Sequence, residues 1–315
     1  MKPKILRKGD RIGLISPASA QYNRSWIDRA AEAVENWGYQ AVLGKNAKKK
    51  YSFFAGTDEE RAADFNEMFR RKDIDAVFAI DGGYGSARIL RMLDYDAIAQ
   101  NPKIFLGFSD ITILHLAIWK KTGLTTFHGP GACAFPEEYL TEYTKSQLEK
   151  VLCCPEPAGI IPMADPKKYI HAIGSGSVEA PILGGNISMI CSTLGTPYEI
   201  DVKGKILFLE DLNTEPWVMD HNMAHLMNAG KLADAAGILI GECRNCEPRI
   251  HEPGYYCDTS IEDIFNEYLA PLNVPVLFGH PLGHTADLAT IPMGVLARLD
   301  TQTREFTILE SGVRE

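Results

Sequence analysis

The run Lys103-Ile104-Phe105-Leu106-Gly107-Phe108-Ser109-Asp110-Ile111-Thr112 puts a serine where an apolar strand pattern breaks at glycine and a helix pattern begins. A hydroxyl on so sharp a turn stands clear of the sheet, and the first N–H groups of the helix point at whatever lies beside it. That is the setting of a nucleophile, although the generic G-x-S-x-G elbow is not met, because Ile111 holds its last position. A helix cap is the plainer role for the same serine. Two more residues would complete acyl-transfer chemistry. His284, in Gly279-His280-Pro281-Leu282-Gly283-His284-Thr285, is expected in a loop after a strand, and histidine is the usual base for a serine. Glu210 ends an apolar strand pattern, where its carboxylate either orients a histidine across a domain interface or marks an exposed strand end.

Other candidates carry less. In Asp81-Gly82-Gly83-Tyr84-Gly85, glycines after a strand let backbone N–H groups approach an anion. G-x-G-x-x-G would need glycine at Arg88, and no P-loop lysine follows, so a tight turn or an oxyanion-binding turn beside Ser109 fits better than a nucleotide site. His221 and His225 share a helix face but lack the glutamate of H-E-x-x-H. Cys243-x-x-Cys246, with His251 and Cys257 nearby, has no second CxxC and no thioredoxin context, and these read as ordinary thiols. Neither a metal nor a cofactor is expected.

The elements that must position these groups alternate. Short apolar runs at 11–18, ended by Pro17, and at 40–44, 75–80, 104–107 and 125–127 are separated by helical patterns at 25–37, 57–71, 87–93 and 110–121. Such alternation predicts a parallel sheet with helices on both faces, and its ligand rim lies where the strands end. Between Cys154 and Pro181, prolines and glycines interrupt every period. The chain therefore divides into a first domain over 1–154, a linker over 155–180 and a second α/β domain over 181–315.

Whole-chain properties narrow the partners. The 315 residues are 45% hydrophobic and 23% charged, an ordinary globular balance, and the formal net charge is -9. An acidic chain is a poor match for nucleic acid. No apolar run is long enough for a bilayer, the start of the chain turns polar too early for a signal peptide, and the odd count of seven cysteines does not suggest a disulfide framework. A cytoplasmic protein with reduced thiols is expected.

Taken together, Gly82-Gly83-Tyr84-Gly85, Gly107-Phe108-Ser109-Asp110, His128-Gly129-Pro130, Leu183-Gly184-Gly185-Asn186, Leu209-Glu210-Asp211 and Pro281-Leu282-Gly283-His284 follow the order of one family. The chain resembles the L,D-carboxypeptidases of the muramoyltetrapeptide carboxypeptidase family, which also holds the microcin C immunity peptidases. The resemblance implies a flavodoxin-like N-terminal domain, a C-terminal α/β domain and an active site between them. It implies Ser109 as nucleophile, His284 as base and Glu210 as its orienting carboxylate, with the backbone N–H groups of Asp110 and of the Gly82-Gly83 turn receiving the oxyanion. Substrate contacts are expected at Asp81, Gly82 and Tyr84. The reaction implied is release of terminal D-alanine from peptidoglycan tetrapeptides in cell-wall recycling, by a homodimer. The alternative is a microcin-immunity-type peptidase acting on peptidyl or aminoacyl nucleotide conjugates. Such an enzyme needs an aromatic platform between the domains, where residues 163–176 offer Tyr169. One departure stands out: the family commonly has arginine before Gly-Gly-Tyr-Gly, and this chain has Asp81.

Overall fold

In the computed structural model, which describes residues 1–248 and 259–315, the first half of the chain winds as β1 (Arg11–Ile15), α1 (Ser25–Asn36), β2 (Gln40–Leu43), α2 (Asp58–Arg70), β3 (Ala76–Ala79), α3 (Ser86–Ile89), α4 (Tyr95–Gln100), β4 (Ile104–Gly107), α5 (Thr112–Thr122) and β5 (Phe127–His128). The inner strands β3 and β4 are buried on both faces, which is why they read as unbroken apolar runs, while the edge strand β2 is only half-buried. They lie parallel in the order β2-β1-β3-β4-β5, the flavodoxin-like order. Local signals set the helix ends. Thr57 and Glu60 close a capping box at the start of α2, and Gly123 ends α5 in the left-handed region.

After α6 (Glu142–Leu152) the chain builds a second, mixed sheet. Its elements are β6 (Gly159–Ile160), β7 (His171–Ile173), β8 (Ser177–Asn186), α7 (Ile187–Thr193), β9 (Ile206–Leu212), α8 (Pro216–Asn228), α9 (Lys231–Asp234), β10 (Gly237–Arg244), α10 (Ile261–Leu269) and β11 (Val276–Gly283), then β12 (Ile291–Pro292), β13 (Leu296–Asp300) and β14 (Glu305–Ile308). The order is β6-β14-β13-β8-β9-β10-β11-β7, with β8 to β11 parallel and the flanking strands antiparallel; β12 belongs to the first sheet.

Two sequence expectations change here. The stretch 155–180 is not a free linker, because β6, β7 and the start of β8 lie within it and pair into the second sheet. Its prolines, Pro155, Pro157, Pro162 and Pro166, fall outside β6 and β7, in the connections that flank these short edge strands, so they remove no ladder bond. The second change concerns Gly279 to Gly283, expected as loop, which continues β11 through register shifts against β10. Positive φ at Gly279 lets the strand kink without ending, and Gly283, also at positive φ, closes it.

The two sheets are joined. β12 pairs antiparallel with β5 through Ile291 and His128, although its neighbours in sequence belong to the second sheet. The N–H of Asn186 donates to Thr112 Oγ1 at 3.1 Å, an approach that bare Gly185 permits, since a Cβ there would meet Thr112 Cγ2 at 2.7 Å. One continuous apolar cluster runs from Leu14, Leu106 and Phe127 to Leu183, Phe208 and Ile240.

Candidate active site

Ser109 stands one residue, Phe108, beyond β4 and has φ +62°, a left-handed conformation that a non-glycine residue adopts at a cost of about 1–3 kcal/mol. A single 3-10 turn over Ser109–Ile111 then leads into α5. The strain turns the serine off the strand path, and Asp110 N–H stands in the first helical turn, where no intrahelical acceptor exists for it. The Asp110 side chain is buried and accepts from Ser86 N–H at 2.8 Å, which ties the elbow to the start of α3.

The Asp81–Gly85 turn presses against this elbow. A Cβ at Gly82 would lie 3.0 Å from Ser109 Cβ and 3.2 Å from Phe108 O, a tight fit that a side chain would have to push apart by a few tenths of an ångström. Ser19, in the loop after β1, holds the turn from below. Its N–H donates to Gly82 O at 3.3 Å, and its Oγ accepts from Tyr84 N–H at 2.9 Å. Gly82 N–H donates to Asp81 Oδ1 at 2.8 Å, and the next residue, Gly83, stands in the wall of the cavity beside Ser109.

Glu210 and His284 come from the second domain. Glu210 is fully buried on the central strand β9, opposite Asn186 of β8. His284 Nδ1 lies 2.7 Å from Glu210 Oε2. With a carboxylate as acceptor, the ring proton sits on Nδ1 and Nε2 is left with a lone pair. The imidazole also rests on Phe108, ring centroids 4.8 Å apart, so the residue before Ser109 packs on the histidine from the other domain. Ser109 and His284 line one cavity of about 410 Å³, together with Asp81, Gly83, Phe108 and Asp110 from the first domain and Asn186, Ser188, Asp211 and Thr214 from the second. A strained serine, an imidazole with a free basic nitrogen, a buried carboxylate behind it and unspent N–H groups have the composition of a serine hydrolase site.

Other expected residues lie elsewhere. Tyr84 is exposed and stacks on Phe54 at 5.8 Å, outside the wall of this cavity. His221 and His225 are exposed on α8. Cys243 and Cys246 are buried at the end of β10, and among the described residues no cluster of histidine, cysteine and carboxylate has metal-holding geometry. His251 and Cys257 lie outside the described residues.

A polar network escaped the sequence reading. The buried Asp211 carboxylate accepts from Asn186 Nδ2 at 3.2 Å, Ser188 Oγ at 2.8 Å and the N–H groups of Ser188 and Leu212 at 3.1 and 2.8 Å. It rigidifies the wall opposite the Gly83 turn. Gly184-Gly185-Asn186 followed by Ser188, with an acidic pair at Glu210-Asp211, was the available signal. Behind the site, burial pushes the His128 imidazole well below its ordinary pKa, reinforced by His115 and His284, so it serves as a neutral ring edge-on to Phe208 at 4.9 Å.

A family model described as the LD-carboxypeptidase N-terminal domain matches residues 12–129, and one described as the LD-carboxypeptidase C-terminal domain matches residues 179–299. The probable murein peptide carboxypeptidase of Bacillus subtilis (strain 168) is 38% identical over 315 residues, covering 100% of this chain and 96% of the relative. The apo structure of the microcin C7 self-immunity protein MccF aligns with a TM-score of 0.88 and 28% identity over 99% of both chains. The muramoyltetrapeptide carboxypeptidase from Oxalobacter formigenes aligns with a TM-score of 0.81 and 26% identity over 97% of this chain and 100% of that one.

Proposed function

This chain belongs to the LD-carboxypeptidase family, carrying both its N- and C-terminal domains, and on that footing we propose that it is a serine peptidase releasing terminal D-alanine from murein tetrapeptides. The observation that carries the reading is the pairing of His284 Nδ1 with buried Glu210 at 2.7 Å, in a cavity whose opposite wall holds strained Ser109. His284 Nε2 takes the proton from Ser109 Oγ as the oxygen attacks the carbonyl between the L-centre and D-alanine. Glu210 fixes the tautomer and stabilises the imidazolium that forms. The tetrahedral oxyanion is received by the N–H groups of Asp110 and Gly83, each donor worth about 3 kcal/mol in the transition state. The imidazolium then protonates the leaving amine, and water repeats the sequence on the acyl-enzyme.

The test is D-alanine release from a tetrapeptide by the wild type and by Ser109→Ala. The variant should lose about six orders of magnitude in kcat, and unchanged release would sink the assignment. A nucleotide-conjugate reading finds less support, because Tyr169 lies under Arg304 at 4.4 Å and edge-on to His171, away from the Ser109 cavity. Faster hydrolysis of an aminoacyl sulfamoyl adenylate than of a tetrapeptide would reverse that preference. The same resemblance supports a homodimer working in the cytoplasm, which light scattering and cell fractionation test. Among the described residues no helix is long and apolar enough to cross a membrane.

A further inference from the structure

Two thiols at the end of β10 stand beside the strand that carries Glu210. Cys243 lies opposite Asp211 of β9 in the sheet register, and Cys246 follows three positions on. Asn245 turns the chain between them at φ +55°, the left-handed conformation that asparagine tolerates at the third position of a turn. The ends of such a turn fall within about 7 Å of each other, inside the reach of a disulfide. Both cysteines are free; Cys246 is fully buried, and Cys243 keeps 9% of its surface open.

The pair is polarised and tied to the site. The adjoining Cys246 and burial push the Cys243 thiol well above its ordinary pKa, and the Asp211 and Glu210 charges add to the effect. The Cys243 S–H and the Thr214 N–H pull Cys246 the other way, against burial, so Cys246 is the sulfur that holds the negative charge when one proton leaves. As a thiol, Cys246 Sγ donates to Arg244 O at 3.5 Å, and the same oxygen accepts from Asn213 N–H at 2.9 Å. Arg244 Nη1 donates to His284 O at 3.5 Å, and Asn213 sits between Leu212 and Thr214, both in the wall of the Ser109 cavity.

We propose that Cys243 and Cys246 form a reversible disulfide under peroxide and that this bond lowers the turnover of the enzyme. Hydrogen peroxide is the oxidant, small enough to enter through the opening at Cys243. One thiolate attacks a peroxide oxygen and takes it as sulfenic acid while hydroxide leaves, and the second thiol displaces that oxygen as water. Two thiols give up two electrons, and one peroxide accepts them to become two waters. A disulfide sulfur has no proton to give, so Arg244 O loses its bond from Cys246. The tightened turn shifts Arg244 and the Leu212–Thr214 segment, and with them the backbone of His284. A thiol reductant reverses the bond by exchange. The effect on rate rests on the serine-peptidase reading; the thiol chemistry does not.

The test exposes the full-length enzyme to hydrogen peroxide and follows three signals. Mass spectrometry after alkylation should find a peptide with Cys243 and Cys246 linked. D-alanine release should fall about tenfold in kcat/KM and return with dithiothreitol, since misplacing a catalytic group by about 1 Å costs up to about 100-fold. The downfield proton resonance of the His284–Glu210 hydrogen bond, which needs no substrate, should shift and recover in step. Cys246→Ser keeps a donor to Arg244 O and should retain the untreated rate while losing all three responses; Cys243→Ser is the second variant where the first does not fold. No linked peptide, a linked peptide with rate and resonance unmoved, or the same loss of rate in the serine variants overturns the switch. An untreated enzyme that releases no D-alanine overturns the peptidase reading, and the linked peptide and the resonance then decide the switch.

Discussion

Gly283 packs bare backbone against Glu210: a Cβ at position 283 would fall 2.6 Å from Glu210 Oε2 and 2.8 Å from its Cβ, at a φ of +94° that disfavours any side chain. The strand kink that carries His284 into the cavity is thereby locked to the carboxylate that orients it. Gly283→Ala should displace that carboxylate and lower kcat/KM by about 10–100-fold, because small misplacements of catalytic groups are costly. Steady-state D-alanine release, with circular dichroism to show that the fold persists, is the measurement.

Glu210→Gln keeps the shape of the side chain and removes its charge. Its expected effect is a fall in kcat of about 10³–10⁴-fold with little change in KM, since orientation and imidazolium stabilisation are lost while binding contacts remain. A serine-directed phosphonate followed by mass spectrometry gives an independent reading: Ser109 should label quickly in the wild type and slowly in this variant.

Gly184 tests the fold rather than the chemistry. With φ +156°, it sits so close to β9 that an added Cβ would overlap Phe208 O and lie 2.5 Å from Phe208 C. Gly184→Ala should destabilise by about 3 kcal/mol or more, read as a lower urea midpoint.

Acid should weaken the fold through buried histidines. Burial lowers His115 and His280 from an ordinary pKa near 6.5 to about 4. Between those values the unfolded chain binds protons that the folded chain does not, so stability is present above about pH 6.5 and is lost as pH falls toward 4. The slope reaches about 1.4 kcal/mol per pH unit for each residue. His280→Leu removes one such group, whose Nδ1 is buried without a partner, and should give a shallower decline in urea melts taken across that range.

Much of this was legible in the residues because the signals were local. Ser109 stood out at a strand-to-helix break, Thr57 and Glu60 announced their helix, and Gly123 ended another. What escaped depended on pairing between distant segments. Pro and Gly in 155–180 hid edge strands whose partners are β14 and β11. The reach of β11 to Gly283 was hidden because a kinked strand and a loop share the same glycines, while His284 itself lies just beyond the strand, where a loop was read. The contact of Phe108 with His284 joins residues 176 positions apart, and no periodicity reports it. Asp81 was noticed as a departure, but its partner Gln21 was not, because only the parallel pairing of β1 with β3 brings the loops after them together.

The short strand Ile291–Pro292 has a consequence for how the molecule comes apart. It leaves the second sheet to pair with His128 and Phe127, and the chain then returns to the second sheet for β13 and β14. Neither sheet can melt without stripping this clasp and uncovering the shared apolar cluster of the other. Scanning calorimetry should therefore record one endotherm, with calorimetric and van't Hoff enthalpies in agreement, and not the two steps that two independent domains would give.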